Sequence, residues 1–165
     1  DDYVEHIFVY SSLHDIGKIA IPDSILLKPG PLDNEERTIM KTHARKGKEM
    51  IDEIISNFGL DGIDNIRILK NIAEFHHEAI NGSGYPEGKL NQEIPLEARI
   101  VAVADVFDAL TSRRPYKDAW SNDKSFETLQ QLACEKLDVD CVNALIENRY
   151  EVEKIQQQFK EDAYG

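Results

Sequence analysis

His14 and Asp15 stand side by side, and Lys18 follows three residues later. An imidazole and a carboxylate are both metal-type donors, and a lysine beside them offers a point charge for an anionic group. Alone, the pair reads equally as a helix-end histidine beside a capping carboxylate. Three later segments add donors of the same kind: His43, His76-His77 and Asp105. Each donor also has a bland reading. His43 fits a satisfied core histidine, His76-His77 a helix C-terminus that favours imidazolium, and Asp105 a buried ion pair with Lys18, Arg99 or Arg114. Taken together, six imidazole and carboxylate side chains exceed what one ion needs, and they suit two ions sharing a bridging carboxylate. Such ions sit roughly 3.5–4 Å apart and stabilise both the attacking and the leaving oxygen of a phosphoryl transfer. Asp15 is the natural bridge, because a carboxylate has an oxygen for each ion. No cysteine joins the set, which favours iron, manganese or similar ions over structural zinc.

Several helices must carry these donors. The pattern Val4, Ile7, Phe8 predicts a helix over residues 3–15, with Gly17 as its stop. Residues 19–31 hold three prolines and a glycine and predict an ordered crossing loop with one short helical turn. Asp33 with Glu36 forms a capping-box start for a helix to about Ile55. On it Ile39, Met40, His43, Gly47, Met50, Ile51 and Ile54 share an inner face. A further helix carries Ile66, Leu69 and Ala73 and ends at His76-His77. The stretch 78–95 is a long Gly/Pro-rich loop, which raises the expectation of function there. Leu96–Leu110 is apolar nearly all round and reads as a central buried helix containing Asp105 and Asp108. A short basic loop, 111–120, precedes a helix capped by Ser121 or Asn122. A last helix starts at Asp138 or Asp140 and buries Val142, Leu145, Ile146, Val152, Ile155 and Phe159. Residues 156–165 form a polar tail. No repeat and no convincing strand alternation occurs, so the expected class is all-α.

Composition narrows the function. The 165 residues fit one domain, and 41% hydrophobic content agrees with a globular fold. A net charge of −12 argues against coating a nucleic-acid polymer, which needs a broad basic patch. No apolar run reaches the roughly 20 residues of a membrane span and no leader precedes the first helix, so the expected location is cytoplasmic. Cys134 and Cys141 carry no functional weight.

The ordered motifs His14-Asp15-Ile16-Gly17-Lys18, Ile21-Pro22-Asp23, Lys28-Pro29-Gly30, His43 with Gly47, His76-His77-Glu78, Asn81-Gly82-Ser83-Gly84-Tyr85-Pro86, Ala98-Arg99-Ile100, Asp105 to Thr111 and Arg114-Pro115-Tyr116-Lys117 closely resemble HD-GYP domains. The resemblance runs from about residue 3 to 146. It implies an HD-type helical bundle with two or three divalent ions, iron or manganese favoured. It further implies hydrolysis of cyclic di-GMP to linear 5′-pGpG, and in many members to GMP, by a hydroxide bridging the ions. By position, His14, Asp15, His43, His76, His77 and Asp105 match ligands, with Asp15 bridging. Asp15 and Lys18 are then the catalytic pair, and Lys18, Arg114 and Lys117 match substrate contacts. Gly84, Tyr85 and Pro86 match a loop linked to substrate access and to docking of a diguanylate cyclase domain. Asn81 stands where many members have Asp. Members also carry a His and often a Glu on a helix roughly thirty residues before the His-Asp pair. The chain therefore reads as N-terminally incomplete, with an upstream regulatory domain expected, and His6 as a surface or packing residue rather than a substitute ligand. The rival expectations are a non-catalytic module binding cyclic di-GMP or a cyclase, and an HD-type hydrolase of another phosphoester.

Overall fold

The computed structural model describes residues 2–60, 62, 65–113, 118–133 and 135–159. These form helices α1 (Asp2–Ser11), α2 (Asp23–Leu26), α3 (Asn34–Lys41), α4 (His43–Phe58), α5 (Ile66–Phe75), α6 (Leu96–Thr111), α7 (Asn122–Ala133), α8 (Val139–Glu147) and α9 (Arg149–Gln158). A 3-10 helix spans Ile16–Ala20 and a shorter one Asn91–Glu93. Among the described residues the only β pairing is an isolated antiparallel bridge between Asn81 and Leu90. The class is all-α, an HD-type helical bundle. No helix among the described residues is long and apolar enough to cross a membrane.

Two boundaries differ from the sequence expectation in ways that matter to the site. The first helix stops at Ser11 rather than near residue 15. Beyond it the chain tightens into three-residue hydrogen bonds, from Leu13 N to Tyr10 O, His14 N to Ser11 O and Ile16 N to Leu13 O. His14 and Asp15 therefore lie in a turn between two helices. The helix expected from Asp33 to Ile55 has the predicted capping box but breaks at Thr42. There the Thr42 hydroxyl donates to the Ile39 carbonyl at 2.6 Å, a back-bond that bends a helix. The bend leaves Ile39 exposed while His43 begins α4 fully buried.

The 3-10 helix packs on α4 at a backbone contact that only glycine permits. A methyl group on Gly17 would lie 1.9 Å from the His43 carbonyl oxygen and 2.5 Å from the Gly47 nitrogen. Beneath this contact Ile51, Ile55, Leu69 and Ala73 form a small core joined by Tyr10 and Ile16. A buried Glu97 ties three helices together, accepting from Tyr3 of α1 at 2.9 Å and from Asn71 of α5 at 2.7 Å.

Helix α6 is one-sided rather than buried all round: Leu96, Ile100, Ala104 and Asp108, one turn apart, are exposed. Its inner face serves a second core with α7 and α8, comprising Ala102, Val103, Phe107, Phe126, Leu129, Ala133, Leu137 and Val142. The expected last helix is two, divided at Asn148, whose side-chain amide donates to the Ala144 carbonyl at 2.8 Å. Ile155 and Phe159, expected inside, are exposed. Gln156, placed in a tail by sequence, lies in α9 and accepts from Asn122 at 2.8 Å.

Candidate metal centre

Five segments converge on Asp15. Its Oδ1 lies 3.3 Å from His43 Nε2 and 3.8 Å from His76 Nε2. Its Oδ2 lies 3.3 Å from His14 Nε2 and 2.5 Å from Lys18 Nζ. His14 Nε2 in turn lies 3.8 Å from Asp105 Oδ1 on α6. Asp15, His43, His76 and His77 each place a ligand-type atom within 4.8 Å of the others. The carboxylate thus turns one oxygen to His43 and His76 and the other to His14 and Lys18. All six sequence-predicted donors and Lys18 are at this place.

Three of the rings are held by backbone. His14 Nδ1 meets the Ser11 carbonyl at 2.7 Å, His43 Nδ1 that of Met40 at 2.8 Å, and His76 Nδ1 that of Ile72 at 2.8 Å. A carbonyl only accepts, so each Nδ1 carries the proton and each neutral ring turns its Nε2 lone pair inward. The consequence is a set of acceptors with nothing to accept from: Asp15 Oδ1, His43 Nε2 and His76 Nε2 are buried without a hydrogen-bond partner. Leaving one such atom unsatisfied costs about 1–3 kcal/mol, and a divalent cation among them would satisfy all three. The residues present therefore fit a metal.

Protonation agrees. Burial, reinforced by His76 and His43, pushes His77 down to about 2, and burial also lowers His43. Asp15 is raised by burial, but His14, His76 and Lys18 outweigh that and hold it well below the usual carboxylate range. His14 is the exception: the Asp15 carboxylate favours its protonated form against the effect of burial, and an ion bound there would have to displace that proton. Neutral imidazoles with an ionised carboxylate are the forms that bind metal.

Of the salt-bridge partners considered for Asp105, Lys18 is on Asp15, and Arg99 is on Asp138 at 2.5 Å. Arg114 and Lys117 lie outside the described residues. His6 stands apart, its ring against Tyr10 at 5.5 Å and its Nδ1 on the Asp2 carbonyl. In the 78–95 loop, Tyr85 stacks on His77 with centroids 4.8 Å apart, and Lys41 sits 5.3 Å over the other ring, that of Tyr85. Gly84 packs against the backbone of Glu78 and Ala79, where a methyl group would come within 2.3 Å of Ala79 N.

Sequence reasoning assigned no role to Glu78 or Glu97. Glu78 is buried, and its carboxylate accepts from the backbone N–H groups of Glu87, Gly88 and Lys89. The available signal was a carboxylate adjoining two histidines and followed by a glycine-rich loop whose N–H groups need acceptors.

A helical bundle presenting histidines and aspartates from a His-Asp turn and three further helices defines the class. Residues 4–141 match the HD domain family. The chain belongs to the HD domain family, in keeping with the HD-GYP resemblance of its motifs. It is 47% identical over 159 residues to the cyclic di-GMP phosphodiesterase response regulator RpfG of Xanthomonas campestris pv. campestris, covering 96% of this chain and 40% of that protein. It is 39% identical over 161 residues to a cyclic di-GMP phosphodiesterase of Vibrio cholerae, covering 98% of this chain and 32% of the relative. A 3′3′-cGAMP-specific phosphodiesterase 2 of the same organism is 41% identical over 138 residues, covering 84% and 25%. The chain thus spans well under half the length of these relatives.

Proposed function

We propose that this chain is a metal-dependent phosphodiesterase domain that hydrolyses cyclic di-GMP to linear 5′-pGpG. The observation that carries the reading is the division of Asp15, one oxygen toward His43 and His76 and the other toward His14 and Lys18, with three buried acceptors unpaired. His14, Asp15, His43, His76, His77 and Asp105 would hold two or three ions, and imidazole with carboxylate suits iron or manganese. Such ions, when bound, supply an activated water and charge neutralisation at phosphorus.

The chain's own groups do the rest. The carbonyls of Ser11, Met40 and Ile72 orient three rings, so that the donors are in place before substrate arrives. Lys18 is about two-fifths exposed and can donate to a non-bridging phosphate oxygen as negative charge develops. Tyr85 stacks on one face of His77 and takes up that side of the ring. Arg114 and Lys117 are assigned to the dinucleotide by their motif alone.

The relative at 47% identity is by name a cyclic di-GMP phosphodiesterase, which supports that substrate over the 3′3′-cGAMP of the relative at 41%, and it is by name a response regulator, which supports a regulatory domain in the same protein. The test is metal content of the purified chain, then turnover of cyclic di-GMP and of 3′3′-cGAMP with added Mn²⁺ or Fe²⁺. Linear pGpG formed faster than any cGAMP product supports the reading. Preference for cGAMP would replace the substrate, and nucleotide binding with bound metal but no product would make the chain a sensor.

A further inference from the structure

The 78–95 loop returns toward the centre over Glu78, the residue directly after His77. Glu78 Oε1 accepts from Glu87 N at 2.7 Å and Gly88 N at 3.1 Å, and Oε2 accepts from Lys89 N at 3.0 Å. A buried carboxylate is costly unless its oxygens are bonded, and three consecutive N–H groups meet that need with charge-assisted bonds. The outgoing limb is tied separately, by Tyr85 N to the His77 carbonyl at 3.1 Å. The Tyr85 ring, at this tie and two residues before the one to Glu78, lies on His77 at an interplanar angle of 29° and meets His43 edge-on at 6.3 Å.

His77 differs from its neighbours. His14, His43 and His76 each have a ring nitrogen on a backbone carbonyl. Among the described residues His77 has no such bond, and its ring orientation rests on contacts with Tyr85, His76 and His43. We propose that Glu78 is a positioning residue: by gathering the N–H groups of residues 87–89 it seats Tyr85 on His77, and Tyr85 supplies the orientation that backbone carbonyls give the other three histidines. The effect on metal affinity rests on the metal-centre reading above; the seating of the ring does not.

The test uses Glu78→Gln, which is nearly isosteric but turns an amide N–H₂ toward at least one of the three donors. Thermal melting checks that it folds. In the metal-free protein, the nuclear Overhauser effect between the Tyr85 and His77 ring protons should be present in the native chain and weakened severalfold in Glu78→Gln. With Co²⁺ as the probe, Glu78→Gln and Tyr85→Ala should each weaken affinity about tenfold, the scale for groups that orient ligands. The double variant should bind no worse than Tyr85→Ala, because Glu78 acts through that ring. An unchanged ring contact in Glu78→Gln overturns the seating. A double variant weakened about a hundredfold, the product of independent effects, overturns the route through Tyr85. A native chain that takes up no Co²⁺ overturns the metal reading and with it the affinity claim, while the ring contact still decides the seating.

Discussion

Helix α6 separates two interiors built on opposite principles. Toward α4, α5 and the 3-10 helix the interior carries a polar site above small apolar clusters: four imidazoles and two carboxylates gather there, three of their atoms are buried and unpaired, and backbones touch at Gly17 and Gly47. Toward α7 and α8 it is an apolar core in which Phe107 stacks on Phe126 at 5.1 Å and Leu129 and Val142 are wholly buried. The polar side loses free energy through each unsatisfied acceptor, whereas the apolar side gains about 25 cal/mol for each Å² removed from water. The lesson is a division of labour. The apolar side holds α6 steady, and α6 carries Asp105 to a site that contributes little stability until a cation occupies it.

The largest expected effect is on the polar side. Asp15→Ala removes the group shared by both donor sets, so turnover of cyclic di-GMP should fall roughly a thousandfold or more. Its melting temperature should also fall, because a carboxyl held well below its ordinary range by its partners contributes stability in its ionised form, and its loss leaves Lys18 and the imidazoles without their counter-charge. Full turnover in this variant would show that the six donors are not the active centre. Gly17→Ala follows. Its methyl group would overlap the His43 carbonyl, and the 3-10 helix would have to lift from α4. We expect about 3 kcal/mol of destabilisation by urea titration, with weaker Mn²⁺ binding in the protein that remains folded, because His14 and Asp15 move away from His43.

The contrasting change is Leu129→Ala in the apolar core. The lost contacts and the cavity should cost about 3 kcal/mol, while Mn²⁺ affinity of the folded protein, measured by calorimetry, should not change. If affinity falls with stability, α6 transmits strain between the two sides and the division fails.

The polar side was the more legible in the sequence. Few residue types bind metal, helical spacing put His43 on an inward face, and Asp105 stood out as a carboxylate inside a helix apolar nearly all round, so the six donors could be named before their distances were known. The all-α class followed equally directly from periodicity. The bends at Thr42 and Asn148 were not legible, because a single side chain bonding to the preceding turn leaves the hydrophobic period intact on either side. Ile155 and Phe159 show the same limit. Periodicity says which residues share a face of α9, not whether anything covers that face. Glu78 and Glu97 were missed because their partners are backbone groups nine to eleven residues on, or Tyr3 at a separation of 94. Arg114 and Lys117 keep only their motif assignment.

The smallest effect tests how the apolar side is joined at its edge. Asp138 caps α8 by accepting from the N–H groups of Asp140 and Cys141 at 3.0 Å, and its other oxygen takes Arg99 of α6. Burial raises its carboxyl pKa, but the Cys141 N–H and the Arg99 guanidinium outweigh burial and hold it below the ordinary value. The folded pKa is therefore lower than the unfolded one. Above pH of about 4 the unfolded chain has also lost this proton, and the stabilisation is complete; it drains away as pH falls through the folded value, where the unfolded state binds more protons. Asp138→Asn keeps a capping oxygen and loses the charge. Loss of the ion pair with Arg99 should cost about 1 kcal/mol near neutral pH and remove this component of the acid dependence, so that native and variant stabilities converge in urea titrations as pH falls through the folded value of Asp138. Metal affinity should stay unchanged, because Arg99, released from Asp138, is on the α8 side of the helix that presents Asp105. A variant in which Arg99 moves to Asp105 and weakens Mn²⁺ binding would show instead that the ion pair on one side of α6 protects the donors on the other.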